Sequence, residues 1–233
     1  MSGWLLSPDE MSAVLLSLLV AATATLISLP VGVGLGYLLA RKQFPGKSAV
    51  ETALFLPLVL PPVVTGYLLL VTFGRKGWIG QYLDQWFGFS VAFTWKGAAL
   101  ASAVMAFPLM VRAIRLAFSG VDARLEQVAR TLGAGKCETF LRISLPLARR
   151  GIIAGAVLAF ARSIGEFGAT IMIAGNTPGD TQTIPLYIYT LIGSPGGMEQ
   201  SSRLVVVAIL IAGGALALSE FVDRRGSRSG VSS

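Results

Sequence analysis

The chain alternates between long apolar runs and short polar connectors, and the runs are of membrane length. Crossing a hydrocarbon core of ~30 Å takes about 20 helical residues. Five stretches qualify: 11–40 and 52–74 carry no charge, 91–111 carries Lys96 near one end, 151–175 holds Arg162 and Glu166, and 204–222 is uncharged until Glu220. The pattern predicts an all-α integral membrane protein of about five transmembrane helices, forming one domain over residues 1–233 without an internal repeat. The third helix is expected to continue past Arg112 and Arg115. The first run lacks the basic start of a secretory signal and exceeds its ~7–15-residue apolar region, so it is read as a span that stays in the protein. The Gly/Ser/Arg-rich tail, 223–233, is expected to be disordered.

Two connectors are not simply polar. Residues 75–90 hold Trp78, Tyr82, Trp86 and Phe87, the composition of an interfacial helix on an aromatic belt. Residues 183–192 are apolar but too short to cross. A re-entrant, gate-lining helix and an amphipathic helix on the outer surface both fit that length.

Charge sets the orientation. With the N-terminus outside, 14 of the 19 Lys and Arg fall on the inner side, which predicts N-terminus out, C-terminus in and residues 121–146 in the cytoplasm. Only 13% of positions are charged, against about a quarter in soluble domains, so the net +7 reads as topology rather than nucleic-acid affinity. There is no His and one Cys, Cys137. Those counts leave no internal disulfide, no metal site and no catalytic constellation. The expected partners include membrane lipid and exclude nucleic acid.

The longest inner connector, 121–146, reads VDARLEQVARTLGAGKCETFLRISLP. Leu125, Val128, Ala129 and Leu132 form one helical stripe. Asp122 is placed to cap that helix and Gly133 to stop it. A joint at Gly133-Ala134-Gly135 leads to a second short helix with Phe140, Leu141 and Ile143, ended by Pro146. The stripe either docks into a partner's groove or packs against the chain's own inner helix ends. Gly133–Lys136 looks like part of a phosphate loop. Arg130 stands where the first Gly belongs and Cys137 where Ser/Thr belongs, so nucleotide binding by this chain is rejected.

Inside the fourth span, Arg162 and Glu166 lie four apart on one helix face. A charge near the bilayer centre costs about 2.5–3.5 kcal/mol. The pair therefore faces protein or a water-filled path, as a gate element or as a packing pair. Pro57, Pro61 and Pro62 interrupt the second span and Pro108 the third, freeing carbonyls that need interior partners. Arg162, Glu166, Pro61, Pro62, Thr65 and Thr170 are the pathway candidates. Gly32/Gly36 and Gly151/Gly155 allow close helix approach.

The connector resembles the cytoplasmic-loop signature of ABC importer permeases, E-A-A-x-x-x-G-x(9)-I-x-L-P. Gln127, Val128, Ala129, Gly133, Ile143, Leu145 and Pro146 occupy its positions, with identity departing at Gln127 and Val128. Glu126 sits one place before the signature's Glu. Ala161-Arg162 through Glu166-Phe167-Gly168-Ala169 resembles the A-R-x-x-G-E-F-G-A run of oxyanion permeases. Phe44-Pro45-Gly46-Lys47, Leu56-Pro57 through Pro61-Pro62, and the stretch from Asn176 to Pro185 are most similar to the molybdate branch. The resemblance covers residues 13–222. It implies the type I importer fold, a homodimer, and a coupling helix that includes Leu125, Glu126, Leu132, Ala134 and Gly135. It also implies two cytoplasmic ATPase subunits carrying ATP-Mg, a periplasmic or lipid-anchored oxyanion-binding protein, and molybdate import across a bacterial or archaeal cytoplasmic membrane. No cofactor is expected on this chain. Sulfate, thiosulfate or tungstate is the alternative cargo. A stand-alone secondary transporter would need several intramembrane acids, and Glu166 is the single one available.

Overall fold

The computed structural model describes residues 6–227, and these are helical without strands. The first helix, α1 (Pro8–Arg41), starts in a reciprocal cap in which Ser7 and Glu10 each bond the other's backbone N–H. It is followed by α2 (Lys47–Val59), α3 (Pro62–Phe73), α4 (Gly80–Phe87) and α5 (Trp95–Ser119). After α6 (Ala123–Thr131) comes α7 (Lys136–Thr139), a π turn over Phe140–Ser144, and α8 (Leu145–Ile164). The chain closes with α9 (Gly168–Ala174), α10 (Ile184–Ile192) and α11 (Gly197–Ser227).

Among the described residues four helices are long and apolar enough to cross a membrane: α1, α5, the continuous Lys136–Ile164 and α11 up to Ala217. The remaining expected span, the second, is two helices, α2 and α3, bent by 114°. The prolines account for where the bend falls. Leu60 (ψ 143°) and Pro61 (ψ 133°) are both extended. Each precedes a proline, whose ring disfavours the helical conformation of the residue before it. A single proline does not suffice. Contrary to expectation α5 runs unbroken through Pro108, and α2 through Pro57.

Two other boundaries differ from the sequence reading. The helix expected over 151–175 stops at Ile164, and Glu166 lies in the break before α9 rather than on the α8 face. Pro146 does not end the second connector helix. It sits in the first turn of α8, after a π turn in which Leu145 N–H reaches back to the Phe140 carbonyl. Widening the helix there relieves the clash a proline ring makes with the carbonyl four residues earlier. The expected disordered tail begins as helix, since α11 runs to Ser227. Residues 228–233 lie outside the described ones.

Small residues set the bundle. An added Cβ at Gly36 would lie 2.6 Å from Ile114 Cγ2, and one at Gly155 would lie 3.1 Å from the Met110 carbonyl oxygen. Both glycine pairs thus bring α1 and α8 against α5. Met110, Ile114, Phe118 and Ala159 are buried at that junction. Val20, Ala101, Ala169 and Ile173 bury the α1–α5–α9 contact. A third cluster, Val14, Ile184, Leu191 and Leu204, ties α10 and α11 to α1.

α4 exposes Trp78 beside it and Tyr82, Trp86 and Phe87 on it, the surface expected of an interfacial helix. Lys96 places its ammonium 3.9 Å from the centre of the Phe89 ring. α10 is not a free surface helix, because its first turn is inserted in the bundle. Ile184 and Leu186 are fully buried, and the Ile184 N–H donates to Ser17 Oγ of α1 at 2.8 Å. That N–H has no intrahelical acceptor. Ser17→Ala is therefore expected to destabilise the protein by about 1–3 kcal/mol, the cost of orphaning a buried donor. A detergent thermal-shift measurement checks this, and an unchanged midpoint would refute it.

Candidate functional site

Two polar regions hold the candidate residues, one at each end of α8. The first is the connector. Asp122 caps α6 as expected, accepting the Arg124 N–H at 2.9 Å. Gly133 stops it at φ +95°, a left-handed conformation that favours glycine. Nothing lies within 4 Å of the Cβ position at Gly133, so backbone conformation rather than space requires glycine there. The Ala134 N–H then reaches back to the Ala129 carbonyl at 3.0 Å.

The stripe on α6 is uncovered. Leu125 is 47%, Val128 56% and Leu132 82% exposed, and α6 buries no residue. Self-packing of the stripe is thus not what this structure contains; only Ala129 is half-buried. Gln127 and Gly135 are exposed and Ala134 is half-buried at the joint. Ile143 lies in the π turn, Leu145 packs against the inner core and Pro146 is exposed.

Glu126 turns the other way. Its Oε1 accepts from Arg41 Nε of α1 at 3.0 Å and from Ser144 Oγ at 2.9 Å. Arg41 Nη2 also donates to the Val121 carbonyl at 2.7 Å. Arg41 and Ser144 escape a reading of the sequence. Arg41 is 85 residues from Glu126, so no helical periodicity links them.

The second region is the break between α8 and α9. Arg162 Nη1 lies 2.7 Å from Glu166 Oε2, while Glu166 Oε1 accepts the Ala169 N–H at 3.0 Å. The Glu166 side chain is 2% exposed and that of Arg162 31%. One carboxylate therefore compensates the arginine and caps the next helix. The α2–α3 break meets this one directly. A Cβ on Gly168 would lie 2.8 Å from Pro62 Cβ, and one on Gly66 would lie 2.6 Å from the Ala169 carbonyl oxygen.

Thr65 and Thr170 flank the Gly66–Ala169 contact in sequence. Both are buried, and their hydroxyls have no hydrogen-bond partner among the described residues. Pro61, Pro62 and Gly165 are exposed. The structure thus gathers the pathway candidates at one junction of two broken helices, although they come from segments about 100 residues apart.

Comparison with known proteins places this architecture. The chain is 57% identical over 220 residues to the molybdenum transport system permease protein ModB of Escherichia coli K12, covering 94% of this chain and 96% of that one. It is 44% identical over 211 residues to the putative molybdenum transport system permease protein YvgM of Bacillus subtilis, covering 88% and 93%. The sulfate transport system permease protein CysW of Synechococcus elongatus is 33% identical over 202 residues, covering 87% and 68%. Among solved structures, a bacterial ABC transporter involved in import of the acidic polysaccharide alginate matches with TM-score 0.72 at 17% identity, covering 94% and 80%. The MetNI methionine ABC transporter in inward-facing conformations matches with TM-score 0.64 at 19% identity, covering 97% and 96%. With residues 32–225 matching its family description and a helical fold shared with type I ABC importer permeases, this multi-pass membrane protein belongs to the binding-protein-dependent transport system inner membrane components.

Proposed function

We propose that this chain is the permease subunit of an ATP-driven importer of molybdate, working by alternating access. The observation that carries the importer reading is the uncovered apolar stripe of α6, held off the bundle on a capped and glycine-terminated helix. An exposed amphipathic helix of this kind suits a partner's groove. The substrate reading rests on higher identity to molybdenum permeases than to a sulfate permease, over nearly the whole chain.

In this reading the chain is one permease domain without a bound cofactor, and nucleotide chemistry belongs to two cytoplasmic ATPase subunits carrying ATP-Mg. Two copies of the chain enclose the path, and a periplasmic or lipid-anchored binding protein delivers the oxyanion. The N-terminus is outside and the C-terminus in the cytoplasm. When the ATPase subunits close, the docking helices move together and the path turns outward. The α2–α3 and α8–α9 junction is the wall of that path. Its non-helical backbone is acceptable at membrane depth where it borders water or a second subunit. The partly exposed Arg162 guanidinium is costly against lipid and suits an aqueous passage for a dianion.

Reconstitution with the ATPase and binding protein tests the assignment. Molybdate is expected to raise ATP hydrolysis, and stimulation by sulfate without stimulation by molybdate would end the specific reading. Docking has its own test. Val128→Asp is expected to leave the permease folded, since exposed substitutions change stability by about 0.5 kcal/mol or less. The ATPase subunits should nevertheless fail to co-purify, because a charge then enters an apolar groove. Undiminished co-purification would remove α6 from the interface.

A further inference from the structure

α6 touches the bundle less than its position suggests. A cleft of about 630 Å3 separates it from the end of α1 and from α7, lined by Tyr37, Gln127, Arg130, Lys136 and Phe140. On its other flank a cleft of about 590 Å3 lies between Leu125 and the α5–α8 residues Leu116, Leu147 and Gly151. What bridges this space is polar. A single carboxylate oxygen of Glu126 receives Arg41 Nε and Ser144 Oγ, and Arg41 Nη2 holds the Val121 carbonyl just before the helix.

The bundle side of this contact is firm. Arg41 closes the last turn of α1, where a cation suits the helix dipole. Ser144 is buried at the π turn leading into α8. Immediately beside them Tyr37 stacks edge-on against Phe118 at 5.2 Å and against Phe140 at 4.8 Å, joining α1, α5 and the π turn. The Arg41 and Glu126 side chains are only 13% and 15% exposed, so their bond is less screened than a surface pair.

We propose that Glu126 is the joint on which α6 is hung, and that Arg41 and Ser144 are the positioning residues that pass its movement to α1 and α8. The inference rests on the reading that α6 docks on an ATPase subunit, and it assigns the neighbouring faces of one helix to different tasks. Leu125, Val128 and Leu132 bind the partner, and Glu126 binds the bundle. Arg41 contacts two segments through two nitrogens of one planar group, which sets orientation as well as distance. A lysine carries its donors on one compact ammonium and lacks the planar fork that fixes two contacts at a set angle.

The test uses the reconstituted complex with its ATPase and binding protein. Arg41→Ala is expected to retain the ATPase subunits in wild-type amounts and with an unchanged KM for ATP. Stimulation of hydrolysis by loaded binding protein should fall roughly tenfold, within the ordinary range of coupling between sites. Arg41→Lys and Ser144→Ala should be intermediate. The double variant Arg41→Ala/Ser144→Ala should be less than additive, because both residues act on one oxygen. Wild-type stimulation in Arg41→Ala overturns the proposal. So does a loss of activity matched by a loss of bound ATPase subunit.

A spin label on Leu132→Cys, in a Cys137→Ser background, reads the joint in the permease alone. Arg41→Ala should sharpen its spectrum as α6 loosens, and an unchanged spectrum again counts against the joint. If the unmodified chain fails to retain ATPase subunits, the docking reading fails first, and the label experiment still decides the joint.

Discussion

Arg162→Met is expected to destabilise the protein by about 3–5 kcal/mol, because it strands a carboxylate that the fold does not let out. Glu166 is fixed on both oxygens, by Arg162 at 2.7 Å and by the Ala169 N–H at 3.0 Å, with its side chain 2% exposed. Removing the guanidinium leaves the charge with one neutral donor in a low-dielectric setting. Glu166→Gln keeps an amide oxygen for the Ala169 N–H, so Arg162→Met/Glu166→Gln should recover most of the stability. Its transport should stay low if the arginine also meets the anion. Thermal unfolding in detergent and uptake in vesicles separate these two effects. A single Arg162→Met variant as stable as the parent protein would show that the pair is not what holds the α8–α9 break.

Gly66→Val should stop transport while sparing ATPase docking. The Cβ position at Gly66 lies 2.6 Å from the Ala169 carbonyl oxygen and 2.7 Å from Ala169 Cα, with Met172 Cβ at 2.8 Å. The first two are backbone atoms, so no side chain can swing aside, and α3 must move off α9. Overpacking of this kind costs about 1–3 kcal/mol. It also shifts Thr65 and Thr170, which flank the contact. Uptake should fall about tenfold or more, since roughly 1.4 kcal/mol in the barrier suffices for that. Gly34→Ala is the control, because nothing lies within 4 Å of its Cβ position and an alanine favours the helix. Equal uptake by the two variants would mean that the α3–α9 contact has no part in the path.

Much of this was legible one dimension at a time. The capping Asp122, the stopping Gly133 and the stripe from Leu125 to Leu132 are local patterns, and the structure contains each of them. The two glycine pairs pack against α5 inside the chain, where their spacing allowed close approach. Local patterns failed where neighbouring structure outweighed propensity. By its local pattern Pro146 is a terminator, yet the π turn admits it into α8. Pro108 predicts an interruption, yet α5 passes through it. The spacing of Arg162 and Glu166 predicts one continuous helix, yet Glu166 leaves α8 and accepts the Ala169 N–H of α9.

Apolar run length was enough for class and approximate spans, because lipid imposes the same length and polarity on any chain that crosses it. Which face of α6 is free, which acid holds it, and that two proline- and glycine-broken helices meet at one junction required the folded chain. Those facts depend on contacts such as Arg41 with Glu126 and Gly66 with Ala169, between residues about 85 to 100 positions apart. No periodicity spans such a separation, and only packing brings its ends together.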